Sequence, residues 1–240
     1  FHQYGAECIL SPYPESDVEV MLLANDIIKS MGIEKYTLLL NSIGNEASRD
    51  KYREALKDYF FQFTDQISED SQKRLEHNPL RILDSKDPRD QEYIKKAPDI
   101  TDFLDPESKD HFESVKEQLR EANVEFELNP RLVRGLDYYS HTVFEFQSDA
   151  LGAQDSFGGG GRYNTLFTQL GGKDEVPAVG LAMGVERLLM ILDAQENMPD
   201  MVTRPDVYIV TTDTALTPKA QEIGRKLRKA GKNVMIDLQR

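Results

Sequence analysis

The feature that most constrains the fold is a change of hydrophobic pattern along the chain. Five stretches have the apolar alternation or apolar content of β-strands: residues 1–10, 36–40, 124–128, 138–146 and 176–183. Between the second and the third, residues 46–123 are rich in charge, are interrupted by proline, and place apolar side chains at helical spacing. The sequence therefore predicts a sheet domain that carries a helical insertion.

Two helices have recognisable start signals. Ser16 and Glu19 form a capping box ahead of the apolar residues 18–31. Asp105 is expected to cap the last helix of the insertion, because an aspartate followed by proline is a favoured helix start.

The C-terminal part has a different pattern and a different charge. After a linker at residues 196–204, a strand, a helix and a strand are expected at 207–211, 218–230 and 233–238, which is a βαβ unit with parallel strands. Residues 205–240 carry seven basic and four acidic side chains, whereas the whole chain has a net charge of −13. This asymmetry indicates two modules with different partners, although a solvated basic helix face would explain it equally well.

Composition excludes several classes of protein. With 39% hydrophobic residues among 240, the chain can bury a core, and no apolar run approaches the ~20 residues of a membrane span. The single cysteine, Cys8, can form neither an internal disulfide nor a cysteine zinc cluster, which favours the reducing cytoplasm. The spacing of the histidines matches no metal motif, so no metal site is expected. Because the chain opens and closes abruptly within strand patterns, we expect it to be a fragment.

The first strand presents two polar side chains on one face. Gln3 and Glu7 point the same way, and Gly5 between them leaves a notch floored by backbone. An amide and a carboxylate beside such a notch could receive a small polar ligand with N–H donors. The alternative is that Glu7 is simply a surface acid.

A second candidate lies at the entrance of the strand at 138–146. Arg134 precedes this strand, and arginine is the side chain best suited to phosphate because it is planar, always charged and rich in donors. Tyr138 and Tyr139 would face opposite sides of a strand, so only one could share the arginine's pocket. The alternative is a structural pair of Arg134 with Asp137.

Two further stretches could approach a ligand closely. The glycines at 158–161 are interpreted as a loop that leads into a helix, although neither a P-loop nor a dinucleotide fingerprint is present. Arg187 is expected in the first turn of the helix after Gly184, where the helix dipole disfavours a cation. An anionic ligand would explain that placement, and so would a salt bridge.

Together these stretches closely resemble the signatures of bacterial histidyl-tRNA synthetases, a family of class II aminoacyl-tRNA synthetases. The first histidine-specific signature resembles residues 132–145, LVRGLDYYSHTVFE, and the second resembles residues 158–164, GGGGRYN. Class II motif 3 resembles residues 177–188, PAVGLAMGVERL, and the strand that closes motif 2 resembles residues 1–7, FHQYGAE.

The resemblance implies an α+β fold with an antiparallel sheet flanked by helices. Residues 1–195 would be a partial catalytic domain with its insertion at 46–123, and residues 205–240 the start of an α/β anticodon-binding domain. The implied activity is ATP-dependent conversion of L-histidine to histidyl-adenylate, followed by transfer to tRNA(His). ATP with Mg²⁺ would be required, and the intact protein would be a homodimer.

The resemblance also implies roles in binding the amino acid. Glu7 and Tyr139 would hold the imidazole ring, and Gln3 would contact the amino end of the substrate. Tyr163 would line the same pocket, and Gly180 would form its floor.

ATP would be bound by arginines. Arg134 would bind the α-phosphate and stabilise the charge that develops as the carboxylate attacks, which makes it the catalytic candidate. Arg187 would hold the tail phosphates.

The family's motif 1, the motif 2 arginine and an acid that receives the substrate's amino group would lie upstream of Phe1. We therefore expect the polypeptide itself to be inactive or impaired. Relatives often carry cysteines where Ser71 and Ser85 stand, so a metal role for the insertion is not supported.

Two related classes are alternatives. One is the histidine-sensing regulatory subunit of ATP phosphoribosyltransferase, and the other is a synthetase-like domain that senses uncharged tRNA within a kinase. The intact signature around Arg134 and the basic C-terminal unit favour the synthetase.

Overall fold

The computed structural model describes residues 1–134, 138–152, 155–199 and 204–238. The chain divides into two compact units, Phe1–Asn197 and Met198–Arg240. The first is an α+β unit with a mostly antiparallel sheet flanked by helices, which confirms the predicted fold class.

The first unit contains six strands and seven α-helices among its described residues. In chain order they are β1 Gln3–Ile9, α1 Pro14–Ser30, β2 Thr37–Ser42, α2 Glu46–Phe61, α3 Glu69–His77, α4 Pro88–Lys96, α5 Pro106–Glu121, β3 Glu127–Leu128, β4 Ser140–Gln147, β5 Ser156–Arg162, α6 Leu166–Gln169, β6 Ala178–Gly184 and α7 Val185–Ala194. Short 3₁₀ turns lie at Pro79–Ile82, Ile100–Phe103 and Asp149–Leu151.

The strands of this unit form one sheet in the order β1-β6-β5-β4-β2-β3. All neighbouring pairs are antiparallel except β2 with β3. In this register Glu7 of β1 lies opposite Gly180 of β6, and Gly180 lies opposite Gly161 of β5. Residues far apart in sequence therefore meet in one row across the sheet.

The two faces of the sheet differ. One face is covered by α1 and α5, and its side chains form the main core, which includes Leu40, Phe144, Val179 and Met183. Along β1 the even positions pack toward this core and the odd positions face away, as the alternation predicts. On the second face, Leu39 of β2 and Val143 of β4 belong to a smaller buried cluster that also includes Tyr139.

Two local predictions are wrong. The glycines at 158–161 belong to strand β5 instead of a loop, because both neighbouring strands supply backbone partners for it. Ser16 is not a helix cap: α1 already begins at Pro14, whose fixed φ suits a first helical position, and the Ser16 hydroxyl donates to the Tyr13 carbonyl at 2.6 Å. Asp105, in contrast, caps α5 by accepting from the Ser108 backbone N–H, as predicted.

The helical stretch between β2 and β3 contains a core of its own. Tyr52, Leu56 and Phe60 of α2 pack there with Leu75 and Ile94. The apolar face of α5, by contrast, packs in the main core against α1. The domain boundaries at 46–123 and 196–204 stay predictions, and residues 200–203 of the linker lie outside the described residues.

The second unit consists of β7 Val207–Ile209, α8 Thr217–Lys229 and β8 Val234–Ile236, with a 3₁₀ turn at Thr214–Leu216. Its strands pair in parallel, which confirms the predicted βαβ unit. Among the described residues of both units, no helix combines the length and apolar character needed to cross a bilayer.

Candidate active site

The carboxylate of Glu7 lies across the backbone of Gly180 on the face of the sheet that is not covered by α1 and α5. A Cβ at position 180 would lie 1.5 Å from Glu7 Oε2, so only glycine leaves room for the carboxylate in this position. The hydroxyl of Tyr163, which follows directly after β5, donates to Glu7 Oε2. The sheet register and this hydrogen bond therefore fix where the carboxylate lies.

Three tyrosine rings pack together beside the Glu7 carboxylate. The rings of Tyr138 and Tyr139 pack with centroids 4.5 Å apart and planes tilted by 36°, and Tyr163 meets them edge-on at 5.6 and 6.4 Å. We call Glu7, Tyr138, Tyr139, Tyr163 and Gly180 the tyrosine cluster. It combines aromatic walls with one carboxylate and several hydroxyl groups.

The prediction that Tyr138 and Tyr139 face opposite sides of a strand is wrong. Strand β4 begins only at Ser140, so the two residues precede it and do not follow the alternation of extended backbone. Their hydroxyl oxygens lie 3.4 Å apart. Burial raises the pKa of Tyr138, and its hydrogen bond with Tyr139 raises it further, so the phenol is a hydrogen-bond donor at neutral pH.

Arg134 lies next to this cluster. Its Cζ is 5.9 Å from the centre of the Tyr139 ring, and its Nη1 donates to Glu145 Oε2 at 2.7 Å. A Cβ at position 159 would lie 2.9 Å from the same Nη1, so the glycine of β5 lets the guanidinium approach the sheet. Its buried Nε has no hydrogen-bond partner among the described residues. The alternative partner, Asp137, lies outside the described residues.

Arg134 also lines a cavity of about 800 Å³, which we call the arginine cavity. Gln3 and Arg187 line it as well, and Arg187 is in the first turn of α7 as predicted, where its Nη1 donates to the Ser156 carbonyl at 2.6 Å. The structure therefore places the predicted residues in two adjacent groups. Glu7, Tyr139, Tyr163 and Gly180 form the tyrosine cluster, and Gln3, Arg134 and Arg187 line the arginine cavity.

Sequence reasoning missed a buried arginine that supports the cluster. Arg162 ends β5 with its side chain fully buried, and it forms an ion pair with Asp17 of α1. It also donates to the backbone carbonyls of Ser11 at 2.8 Å and Tyr13 at 3.0 Å. Because Arg162 precedes Tyr163, this network anchors the backbone from which the phenol projects.

Asp17 and two histidines extend the network. Burial raises the pKa of Asp17, but hydrogen bonds from His111 and Arg162 outweigh burial and hold that pKa below its usual value. Burial lowers the pKa of His141 to about 4, and repulsion from His111 and Arg162 contributes to the shift. The arginine within GGGGRYN was a visible signal, but its partner is 145 residues away.

The described residues contain no group of three or more His, Cys, Asp or Glu side chains arranged to hold a metal ion. The carboxylates of Asp84, Glu145, Asp155 and Glu186 line the arginine cavity. One or two such carboxylates are what Mg²⁺ uses when substrate phosphates supply its other ligands.

Comparison with known proteins finds similarity over most of the chain. A family model for histidyl-tRNA synthetase matches residues 1–188. The histidine–tRNA ligases of Rippkaea orientalis and of a Cyanothece species are 48% and 46% identical over 238 residues, which is 99% of this chain and 55% of each relative. The chain thus spans about half the length of these curated relatives.

Solved structures show the same fold. The apo histidyl-tRNA synthetase of Staphylococcus aureus aligns with a TM-score of 0.76 and 36% identity, covering 100% of this chain and 59% of that one. A Bacillus halodurans protein described as an ATP phosphoribosyltransferase regulatory subunit/histidyl-tRNA synthetase has a TM-score of 0.61 at 21% identity, with 99% of this chain and 62% of that chain covered, and shares the fold. On the family match over residues 1–188, the chain belongs to the histidyl-tRNA synthetase family.

Proposed function

We propose that this chain forms the histidine-binding and ATP-binding part of a histidine–tRNA ligase. L-Histidine reacts with ATP to give histidyl-adenylate and pyrophosphate, and the histidyl group is then transferred to tRNA(His). The observation that carries the proposal is the tyrosine cluster: a carboxylate held by Tyr163 over Gly180, between aromatic rings and beside Arg134.

The cluster suits an imidazole ring. A neutral imidazole has one N–H donor and one acceptor nitrogen, so it needs an acceptor on one side and a donor on the other. Glu7 is the acceptor and the Tyr139 hydroxyl is the donor, while the tyrosine rings cover the faces of the heterocycle. Gln3, which lies on the same face of β1 and lines the adjoining arginine cavity, is proposed to contact the amino end of the substrate.

Arg134 is proposed to act on the α-phosphate. In the activation step a carboxylate oxygen of histidine attacks the α-phosphorus, the bond to the bridging oxygen breaks, and pyrophosphate leaves. A guanidinium already in place stabilises the charge that develops on the α-phosphate oxygens, and the step depends on in-line alignment more than on proton transfer. Its buried Nε has no hydrogen-bond partner within the part of the chain that the structure describes.

The arginine cavity is proposed to hold the rest of ATP. Arg187 and the first turn of α7 favour the tail phosphates, because helix N-termini and arginines attract anions. Mg²⁺ that accompanies ATP would shield the phosphates and would find oxygen ligands in the carboxylates of the cavity.

The remaining partners follow from the same proposal. The basic helix α8 has the charge needed to approach RNA phosphates. A cytoplasmic location and a homodimer for the intact protein complete the proposal, since both accompany this function in the family.

Calorimetric titration tests the histidine site. We expect L-histidine to bind the 240-residue chain and L-phenylalanine not to bind, because phenylalanine leaves the carboxylate and the phenol unpaired. Glu7→Gln should weaken histidine binding by roughly 30-fold, since a hydrogen bond to a charged group is lost. The exposed Glu19→Gln is the matched control and should bind normally.

The outcomes separate the possible functions. Equal affinity for histidine in Glu7→Gln and in the unchanged chain would contradict the proposed site. Histidine binding without any ATP binding would favour the regulatory-subunit alternative over the ligase.

A further inference from the structure

The arginine cavity has a wall that does not come from the sheet. Two of the side chains that line it, Asp84 and Lys86, belong to the segment between the 3₁₀ turn Pro79–Ile82 and helix α4. Both are exposed, and Ser85 between them is buried. The helical stretch between β2 and β3 therefore contributes one cation and one carboxylate to the cavity where Arg134 and Arg187 lie.

A buried carboxylate holds this segment in place. Asp90 of α4 accepts hydrogen bonds from the hydroxyls of Ser68, Ser71 and Ser85 and from the backbone N–H of Ser68. Burial raises the pKa of Asp90, but these donors outweigh burial and keep that pKa below its usual value. The carboxylate is therefore ionised and ties Ser85 to two other parts of the insertion.

The carbonyl of Ser85 is fixed as well, because Gln91 Nε2 donates to it at 2.6 Å. With both the hydroxyl and the carbonyl of Ser85 bonded, the residues on either side have defined directions. The anchored backbone at Ser85 thus holds Lys86 at the edge of the cavity.

Lys86 has spare binding capacity. Among the described residues it forms no hydrogen bond or ion pair, whereas Arg134 is bonded to Glu145. A lysine ammonium has three donors, and without a protein partner they are open to an anion. Of the four carboxylates that line the cavity among the described residues, two are already engaged, Glu145 by Arg134 and Glu186 by His2.

We propose that Lys86 binds the phosphate tail of the nucleotide in the arginine cavity, with Asp90 and its three serines as the positioning group. The inference rests on the proposed ATP site and adds to it a cation from the insertion. Lys86 would contact the β- and γ-phosphates and not the α-phosphate, which Arg134 is proposed to bind.

Nucleotide titrations of the 240-residue chain with Mg²⁺ test this. We expect Lys86→Gln to bind ATP about tenfold more weakly, since a partly solvated charge-assisted contact is lost, and to bind AMP within about twofold of the unchanged chain. Lys86→Arg should restore most of the affinity for ATP. Lys73→Gln, an exposed lysine of the same insertion that lines a different groove, should leave ATP binding unchanged.

Asp84→Asn removes a negative charge from the cavity, whereas Lys86→Gln removes a positive one. The Asp84→Asn variant should therefore bind ATP at least as tightly as the unchanged chain. Equal losses in Lys86→Gln and Lys73→Gln, equal losses for ATP and AMP, or a parallel loss of histidine binding would overturn the inference. If the Lys86→Gln variant binds histidine and ATP normally, this inference is overturned but the proposed function is not. A chain that binds neither ligand without any substitution would overturn the proposed function together with it.

Discussion

Two arginines of the site region, Arg162 and Arg134, each pair with a carboxylate, yet their surroundings differ. Arg162 is 0% exposed, and besides its ion pair with Asp17 it donates to two backbone carbonyls and the Ser16 hydroxyl. Arg134 is 21% exposed, has Glu145 as its ion-pair partner, and leaves Nε without a hydrogen-bond partner among the described residues.

This difference is the one we expect if Arg162 supports the fold and Arg134 binds a ligand. A buried guanidinium is tolerated only when its donors are satisfied, because removing a charge from water is costly. Arg162 meets that condition within the protein and holds β5 against α1. Arg134 does not meet it fully, and its position between the tyrosine cluster and the arginine cavity suits a donor that is completed by a substrate.

The strongest test of the comparison is Arg162→Met. Removing one partner of a fully buried pair leaves the Asp17 carboxylate buried with the hydrogen bond from His111 but without its ion pair, so the free energy of unfolding should fall by about 3–5 kcal/mol. Chemical denaturation measures this. Arg53→Met is the control, because its pair with Asp50 is exposed and should contribute less than about 1 kcal/mol. A similar small loss for Arg162→Met would remove the distinction drawn here.

The pH dependence of stability tests the same buried network. His141 has a pKa of about 4 in the folded chain against 6.5 in its ordinary state. Between these values the unfolded chain binds the extra proton, so the free energy of unfolding should fall by up to about 3 kcal/mol as the pH drops from 6.5 to 4.

His141→Asn is the matched variant for this pH test, because asparagine tolerates the left-handed backbone found at this position, where φ is 50°. Denaturation curves recorded across that pH range should be flatter for the variant. An unchanged slope would show that another group titrates there. The nearby carboxylates Asp17 and Asp105 have lowered pKa values. The stability that they contribute is therefore lost only at lower pH than this window.

Gly180→Ala sharpens the comparison from the ligand side. The new Cβ would occupy the place of the Glu7 carboxylate, which is the movable end of a side chain, so the fold should remain and the carboxylate should shift. We expect histidine affinity to fall by roughly 10- to 100-fold. Gly184→Ala, where the nearest atom would be 3.6 Å away, should leave histidine affinity unchanged. Calorimetry of both variants decides the point.

Arg134→Gln should have the smallest effect on stability. Because the pair with Glu145 is partly solvated, the free energy of unfolding should change by less than about 1 kcal/mol, while ATP affinity should fall about tenfold. Denaturation and nucleotide titration of the same preparation measure both quantities. A loss of stability comparable to that of Arg162→Met would assign Arg134 a structural role.

The sequence was most informative where a local pattern decides the structure. The alternation in β1 correctly placed Gln3, Glu7 and Gly5 on the face that Tyr4 and Cys8 avoid. The βαβ unit was predicted for the same reason, since period and turn residues are local signals, whereas the class of fold was predicted from the resemblance of the signatures. The roles of the site residues stay predictions, although the structure brings them into two adjacent groups.

What could not be predicted depends on distant partners. Glycine has a low strand propensity, so β5 exists because β4 and β6 supply its hydrogen bonds, and no local pattern signals that. The contact between the Tyr138 and Tyr139 rings depends on where β4 starts. The role of Arg162 depends on Asp17, which lies on a helix near the other end of the unit.

The run of glycines in β5 also has a consequence for how the domain folds. The glycines add no apolar burial of their own and lose much backbone entropy on ordering, so this part of β5 depends on its hydrogen bonds to β4 and β6. Phe157, near the start of the strand, packs in the main core. The tyrosine cluster draws on β1, β6 and the end of β5, so it is complete only when these strands have paired.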